Sequence, residues 1–170
     1  MIWIKKKTIS MNIEDNFLDI ESFKKIQNEM MSNNFPWYYI NHVANVEDNE
    51  YPYMCHLIYN EYQVQSIGGW NLVEPIINKL KPKSLLRIKA NLYTKTDKLI
   101  KHDYHSDQDY DCKSALYFVN TNNGYTRMKK ERSNVESIEN RVLHFNSHNP
   151  HHSTTCTDAQ VRITINFNYF

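Results

Sequence analysis

The residues in this chain best suited to chemistry are His105 and Asp107, separated by Ser106, followed far downstream by His151 and then by Arg162. Two imidazoles and one carboxylate on one face of a six-coordinate ion leave three positions open. That donor set is the facial triad of non-heme Fe(II) sites that activate O2. In an extended segment residues i and i+2 point to the same side. His105 and Asp107 can therefore reach one metal together, while Ser106 faces away. The stretch between Asp107 and His151 is long enough for several strands to return the chain to the same place, with no helix needed.

An H-x-D triplet alone is unspecific in a chain with eight histidines. Arg162 adds weight because of its setting. In Val161-Arg162-Ile163-Thr164-Ile165-Asn166-Phe167 strict alternation puts the apolar residues on one face and Arg162, Thr164 and Asn166 on the other. A permanent cation and a hydroxyl are then expected to face the metal cavity. Such a guanidinium suits a carboxylate, whose two oxygens match its planar fork.

Several nearby groups compete with these or have plainer uses. His148, His151 and His152 lie in one loop and only one can be the third ligand; His151 is the first choice and His152 the second. His56 and His144 sit in apolar stretches and read as buried or half-buried packing residues. His102 and Asp103 read as loop or supporting groups, since a metal-bound histidine needs a partner for its other ring nitrogen. The run from Asp107 to Asp111 superficially resembles a calcium loop. Its sixth position is Cys112 rather than Gly and its twelfth is Phe118 rather than Glu, which argues against one.

These side chains need a β scaffold, and the sequence supplies one with helices outside it. Phe23, Ile26 and Met30 predict a helix over Glu21 to Ser32, and Leu72, Val73, Ile76, Ile77 and Leu80 predict a second that stops at Pro82. The aromatic run Phe35 to Ile40 reads as a strand between them. From Ser84 onward strands dominate, with turn signals at Asn122-Asn123-Gly124 and Glu139-Asn140. The first turn is expected to join a strand ending at Val119 to one over Tyr125 to Met128. The segment Thr94 to Asp103 reads as a polar loop beside the site. No repeat, long linker or low-complexity segment is present.

Composition bounds the rest. The 170 residues suffice for one compact core, so a single domain over 1–170 is expected. A net charge of +1 argues against a dedicated nucleic-acid binder. The cluster Lys5-Lys6-Lys7 reads as a solvated terminus. Cys55, Cys112 and Cys156 form no CxxC pair and leave an odd count, as expected in a reducing compartment. No signal-peptide pattern or membrane-length apolar run occurs, so a cytoplasmic protein without membrane association is expected. Cys156, close to the third ligand, is expected to be an oxidation liability.

Five segments together carry a family resemblance: Leu86 to Tyr93, His105-Ser106-Asp107, Ala115 to Thr126, Asn140 to Phe145, and His151 to Asp158 leading to Arg162. From about Phe17 to Phe170 the chain resembles the Fe(II)- and 2-oxoglutarate-dependent dioxygenases, specifically the small prolyl-4-hydroxylase-like members of phages and bacteria. The resemblance implies a double-stranded β-helix (jelly-roll) core over about 84–170, with helices and strands over about 14–83 beside it. It implies Fe(II) held by His105, Asp107 and His151. It also implies 2-oxoglutarate held by Arg162 and Thr164, with Tyr93 and, more weakly, Asn91 as further contacts. Arg87 and Lys89 share the face of Asn91 and Tyr93. Members often read His-x-Gly at the third ligand; here Ser153 stands in place of the glycine.

The implied reaction consumes 2-oxoglutarate and O2, releases succinate and CO2, and hydroxylates a substrate. The resemblance favours a peptidyl prolyl or other amino-acid side chain, as a peptide or small molecule. Asp107 argues against halogenation, which leaves that ligand position free for halide. Fold does not dictate substrate. The alternative from another class is a non-enzymatic jelly-roll protein that keeps a metal for binding or sensing.

Overall fold

The computed structural model describes residues 11–42 and 52–170; the Lys5-Lys6-Lys7 cluster lies outside them. The chain order is β1 (Asn12–Glu14), α1 (Ile20–Met30), β2 (Tyr38–Ile40), β3 (Tyr53–Asn60), β4 (Gln63–Val64), α2 (Ile67–Leu80), β5 (Leu85–Thr94), β6 (Lys113–Phe118), β7 (Asn122–Met128), β8 (Ser133–Ser137), β9 (Arg141–Asn146), β10 (His151–Ser153) and β11 (Val161–Tyr169).

Both helices form where the apolar spacing puts them. Asp19 caps α1 by accepting from the amide of Ser22 at 2.9 Å, and Phe23, Ile26 and Met30 are the buried stripe. Ser66 caps α2 through the amide of Gly69 at 3.1 Å. That helix ends on Lys81 in the left-handed conformation, just before Pro82. No helix among the described residues is long and apolar enough to cross a membrane.

The strands make two antiparallel sheets. The large one runs β1-β9-β6-β11-β5-β3-β2 with β4 on the side of β3, and the small one runs β10-β7-β8. This is the two-sheet wrapping of a jelly roll. Period-two alternation divides each central strand of the large sheet between two environments. One face carries Ile88, Ala90, Tyr117, Val142, Ile163, Ile165 and Phe167, all packed in a core with α1 and α2. On the opposite face Leu116, Phe118, Leu143 and Phe145 meet Met128 and Val135 of the small sheet. The polar residues of β5 and β11 lie on that second face, so burial of the helix side sets the direction of the site residues.

Two expected local features differ. Only Tyr38–Ile40 of the aromatic run is paired strand; Pro36 offers no amide hydrogen, and its carbonyl is engaged by Nδ1 of His56 at 2.7 Å. Asn122-Asn123-Gly124 is not a hairpin turn. It lies inside β7, at a register shift between Asn122 and Tyr125, and β6 and β7 belong to different sheets. The turn at Glu139-Asn140 does form, with Asn140 at φ 57° and its side chain bonded to both backbone groups of Leu18.

Candidate metal centre and co-substrate site

The segment before Asp107 is extended because it pairs with the chain around β10. His105 and His151 exchange backbone hydrogen bonds of 2.9 Å in both directions, and the amide of Asp107 donates to the carbonyl of Ser147 at 2.9 Å. Residues directly opposite in an antiparallel pair project to the same side. The rings of His105 and His151 accordingly lie 4.6 Å apart, and Nε2 of His151 is 3.9 Å from Oδ1 of Asp107.

Donor atoms of His105, Asp107 and His151 all lie within 4.8 Å of one another, a span that one ion can bridge. The chemistry of the set also fits iron. Nδ1 of His105 faces the carbonyl of Asp103 at 3.4 Å and Nδ1 of His151 that of Asn149 at 3.1 Å. Each contact favours the tautomer that leaves Nε2 as the free donor. Burial and the neighbouring His151 push the pKa of His105 down to about 4, so its ring is neutral and able to ligate at neutral pH.

The structure separates the three competing histidines by simple alternation. His152, one residue along β10, points away and packs edge-on against Tyr104 and Tyr125, with ring centroids 4.7 and 6.0 Å away. His148 sits in the preceding turn, where its carbonyl accepts from Ser106 at 2.9 Å. Neither joins the cluster of His105 and Asp107.

Four side chains hold Asp107, of which Arg87 and Asn166 lie on faces read as polar from the sequence and Ser114 and Asn168 lie outside that reading. Oδ1 accepts from Asn166 at 2.9 Å and from Arg87 at 3.5 Å, and Oδ2 accepts from Ser114 at 2.8 Å and Asn168 at 3.1 Å. Burial disfavours the charge on this carboxylate. His151, Arg87, the Asn166 bond and His105 outweigh it and set the pKa at about 2. Asn166 and Asn168 continue the polar face of β11 that starts at Arg162, and Arg87 is on the polar face of β5. The signal was therefore present as alternation, without anything to say which carboxylate those faces would meet.

A cavity of about 320 Å³ opens beside the centre, lined by Tyr53, Arg87, Lys89, Asn91, Tyr93, His105, Asp107 and neighbours from β2 and β11. Its inner wall is Tyr93, stacked between Tyr53 at 5.6 Å and His102 at 4.9 Å. Ser153, which stands where the resembled family often has a glycine, donates to the Tyr93 hydroxyl at 3.2 Å and lies 2.7 Å from Nδ1 of His102. The serine thus ties the wall together.

Arg162 and Thr164 face the space between the sheets but do not line the open cavity. Arg162 is fully buried, with its guanidinium 5.6 Å from the ring centre of Tyr93. Its hydrogen bonds go to the Ser137 hydroxyl at 2.8 Å, the Thr126 hydroxyl at 2.9 Å and the carbonyl of Thr154 at 3.3 Å. Every one of these acceptors is neutral, and no carboxylate among the described residues pairs with it. Burial lowers its pKa to about 10, which leaves it charged at neutral pH. Asn91 lies opposite both Thr164 and Cys55 in register.

No protein-family model and no curated protein matches the sequence. Solved structures do match. A prolyl hydroxylase of Trichoplax adhaerens in complex with a hypoxia inducible factor peptide superimposes with a TM-score of 0.64 at 15% identity, over 96% of this chain and 84% of that one. The fold is that of the 2OG-Fe(II) oxygenases. The viral collagen prolyl hydroxylase of Paramecium bursaria Chlorella virus-1 matches with TM-score 0.64 at 10% identity, over 93% of this chain and 94% of that one. A 2OG-Fe(II) oxygenase of Burkholderia pseudomallei matches with TM-score 0.66 at 12% identity, over 94% of this chain and 84% of its own. Within this oxygenase fold the double-stranded β-helix expected from the sequence is present, and the His105, Asp107 and His151 cluster lies at the mouth between its two sheets.

His56 and His144 are packing residues, buried and half-buried respectively. The three cysteines are free thiols. Cys156 is fully buried and its thiol pKa is raised, first by that burial, so the expected oxidation liability is corrected: the sulfur is shielded and protonated.

Proposed function

We propose that this protein is a non-heme Fe(II)- and 2-oxoglutarate-dependent dioxygenase that hydroxylates an amino-acid side chain, with a peptidyl prolyl residue as the leading candidate. His105, Asp107 and His151 are the residues proposed to hold the iron. Bound Fe(II) would supply O2 activation coupled to oxidative decarboxylation of 2-oxoglutarate, giving succinate and CO2. The observation that carries the reading is the fully buried guanidinium of Arg162, which among the described residues has only neutral acceptors and lies 5.6 Å from the ring centre of Tyr93 on the cavity wall. A buried cation without counter-charge is costly unless an anion is to be received. The distal carboxylate of 2-oxoglutarate is that anion in this proposal, with Thr164, Tyr93 and Asn91 as further contacts.

The chain's own residues have distinct tasks. Asn166, Asn168, Ser114 and Arg87 fix both oxygens of Asp107, so the carboxylate presents one orientation. The carbonyls of Asp103 and Asn149 turn the two imidazoles. Tyr93, clamped by Ser153 and stacked between Tyr53 and His102, is held as the cavity residue beside the buried arginine. A peptide substrate draws support from the Trichoplax adhaerens neighbour, whose structure contains one.

The test is an anaerobic titration of the apo-protein with Fe(II) and 2-oxoglutarate, followed through the visible charge-transfer band of the chelate. A band that saturates, with succinate formed once O2 is admitted, supports the proposal. Well-folded protein that binds Fe(II) but gives neither signal returns the non-enzymatic metal-binding reading to first place.

A further inference from the structure

We infer that the substrate presents a carboxylate to Lys89, at the outer wall of the metal cavity beside Tyr53 and Arg87; this rests on the oxygenase reading above. Along the polar face of β5 the order is Arg87, Lys89, Asn91, Tyr93, so Lys89 stands on the same face as Tyr93 but two alternations outward. In register it faces Asn166 of β11, the residue that donates to Asp107. Its ammonium is 3.2 Å from the Tyr53 hydroxyl and 5.6 Å from the centre of that ring.

Among the described residues the charge balance of this wall is incomplete. Arg87 and Lys89 both line the cavity, and Asp107 is the one carboxylate among its described lining residues. Asp107 is already committed to four donors and is placed to hold a metal; its charge favours the Lys89 ammonium from a distance but makes no ion pair with it. No carboxylate among the described residues forms an ion pair with Lys89. Burial, and then repulsion from Arg87, hold its pKa below the ordinary lysine range. Both penalties are relieved when an anion binds between the ammonium and the Tyr53 hydroxyl. Arg162 is a different receptor, because it is buried between the sheets and does not line this cavity. The site therefore holds two separate cations for two carboxylates, Lys89 on the open cavity and Arg162 between the sheets.

A prolyl ring itself is neutral, so the second carboxylate has two sources. It is the α-carboxylate of a free amino acid, or an acidic side chain next to the modified residue in a peptide. The two are separated by isosteric pairs. Free L-amino acids are compared with their carboxamides, and acetylated dipeptide amides carrying Asp with those carrying Asn. Each is titrated into the anaerobic Fe(II)·2-oxoglutarate protein, and the shift of the charge-transfer band is read as binding, without turnover.

At least one acid is expected to bind at least about tenfold tighter than its amide partner. That preference should vanish in Lys89→Met and return in Lys89→Arg, while the band midpoint for 2-oxoglutarate stays within about threefold of wild type in both. Equal binding of acids and amides in the wild type, or no shift from any ligand, overturns the inference and leaves the oxygenase reading standing. Loss of the 2-oxoglutarate band in folded Lys89→Met also overturns it, since Lys89 would then serve the co-substrate. Absence of the band in the wild type withdraws both.

Discussion

Cδ of Arg162 passes so close to Gly124 that a Cβ at that glycine would lie 2.6 Å from it, and equally 2.6 Å from the carbonyl oxygen of Thr155. The glycine is required by this contact and not by its backbone angles, since no glycine among the described residues has positive φ. Gly124→Ala should displace the guanidinium or push β7 outward, at a cost of about 1–3 kcal/mol by the usual penalty of overpacking. The expected result is weaker 2-oxoglutarate binding with Fe(II) affinity kept, read by titration of the chelate band and by thermal melting. Unchanged melting and unchanged co-substrate affinity would show that the strand absorbs the methyl group and that Arg162 is not held there.

Replacing Arg162 itself separates stability from co-substrate binding. The arginine gains three hydrogen bonds to neutral groups but carries a buried charge, so Arg162→Met should stay within roughly 2 kcal/mol of wild type in the apo-protein. Saturating 2-oxoglutarate with Fe(II) should raise the melting temperature of the wild type and leave that of the variant unmoved. An equal rise in both proteins would place the distal carboxylate elsewhere.

The adjacent histidines give opposite outcomes. His151→Ala removes a member of the donor cluster and should lower Fe(II) affinity by at least about a hundredfold, on the scale of losing one of three ligands. His152→Ala removes edge contacts with Tyr104 and Tyr125 and should lower stability by roughly 1 kcal/mol while Fe(II) binding persists. Calorimetric Fe(II) titration of both variants decides the assignment; a larger affinity loss in His152→Ala would reverse it.

Acid should destabilise the apo-protein well above the carboxylate range. Burial first, and then Arg162, depress the pKa of His102 to about 3, while burial and His151 depress that of His105 to about 4. The unfolded chain takes up these protons near pH 6.5 and the folded one does not. Stability is thus complete above about pH 6.5 and declines as the pH falls through 6 and 5 toward 4. Asp107, at about 2 folded, adds a further loss of roughly 2 kcal/mol only below pH 4. Urea midpoints at pH 7 and pH 4.5 test this. A midpoint that does not fall would mean that both rings protonate in the fold without penalty.

Local periodicity made much of the molecule legible. The apolar spacing of Phe23, Ile26 and Met30 marked α1, and the alternation of Val161 to Phe167 marked β11 and the shared direction of Arg162 and Thr164. Where alternation is broken, residue order carries no such mark. β3 carries a register shift between Leu57 and Tyr59 that changes the parity of its side chains, so no clean period announces it. At Asn122-Asn123-Gly124 the residue types favour a turn, but the glycine answers to a side chain brought in from β11, a demand with no trace in neighbouring residues.

The donor types, the i, i+2 relation of His105 to Asp107 and the polar faces of β5 and β11 are written in local residue order, because strand geometry converts residue spacing directly into direction. That His151 stands opposite His105, that Arg87, Ser114, Asn166 and Asn168 converge on Asp107, and that Arg162 is buried beside Tyr93 with no carboxylate partner among the described residues follows from the fold as a whole. Those relationships depend on which strands pair and in what register. Pairing is set by burial of the whole helix-covered face of the sheet, a sum over distant residues that no short stretch of sequence carries.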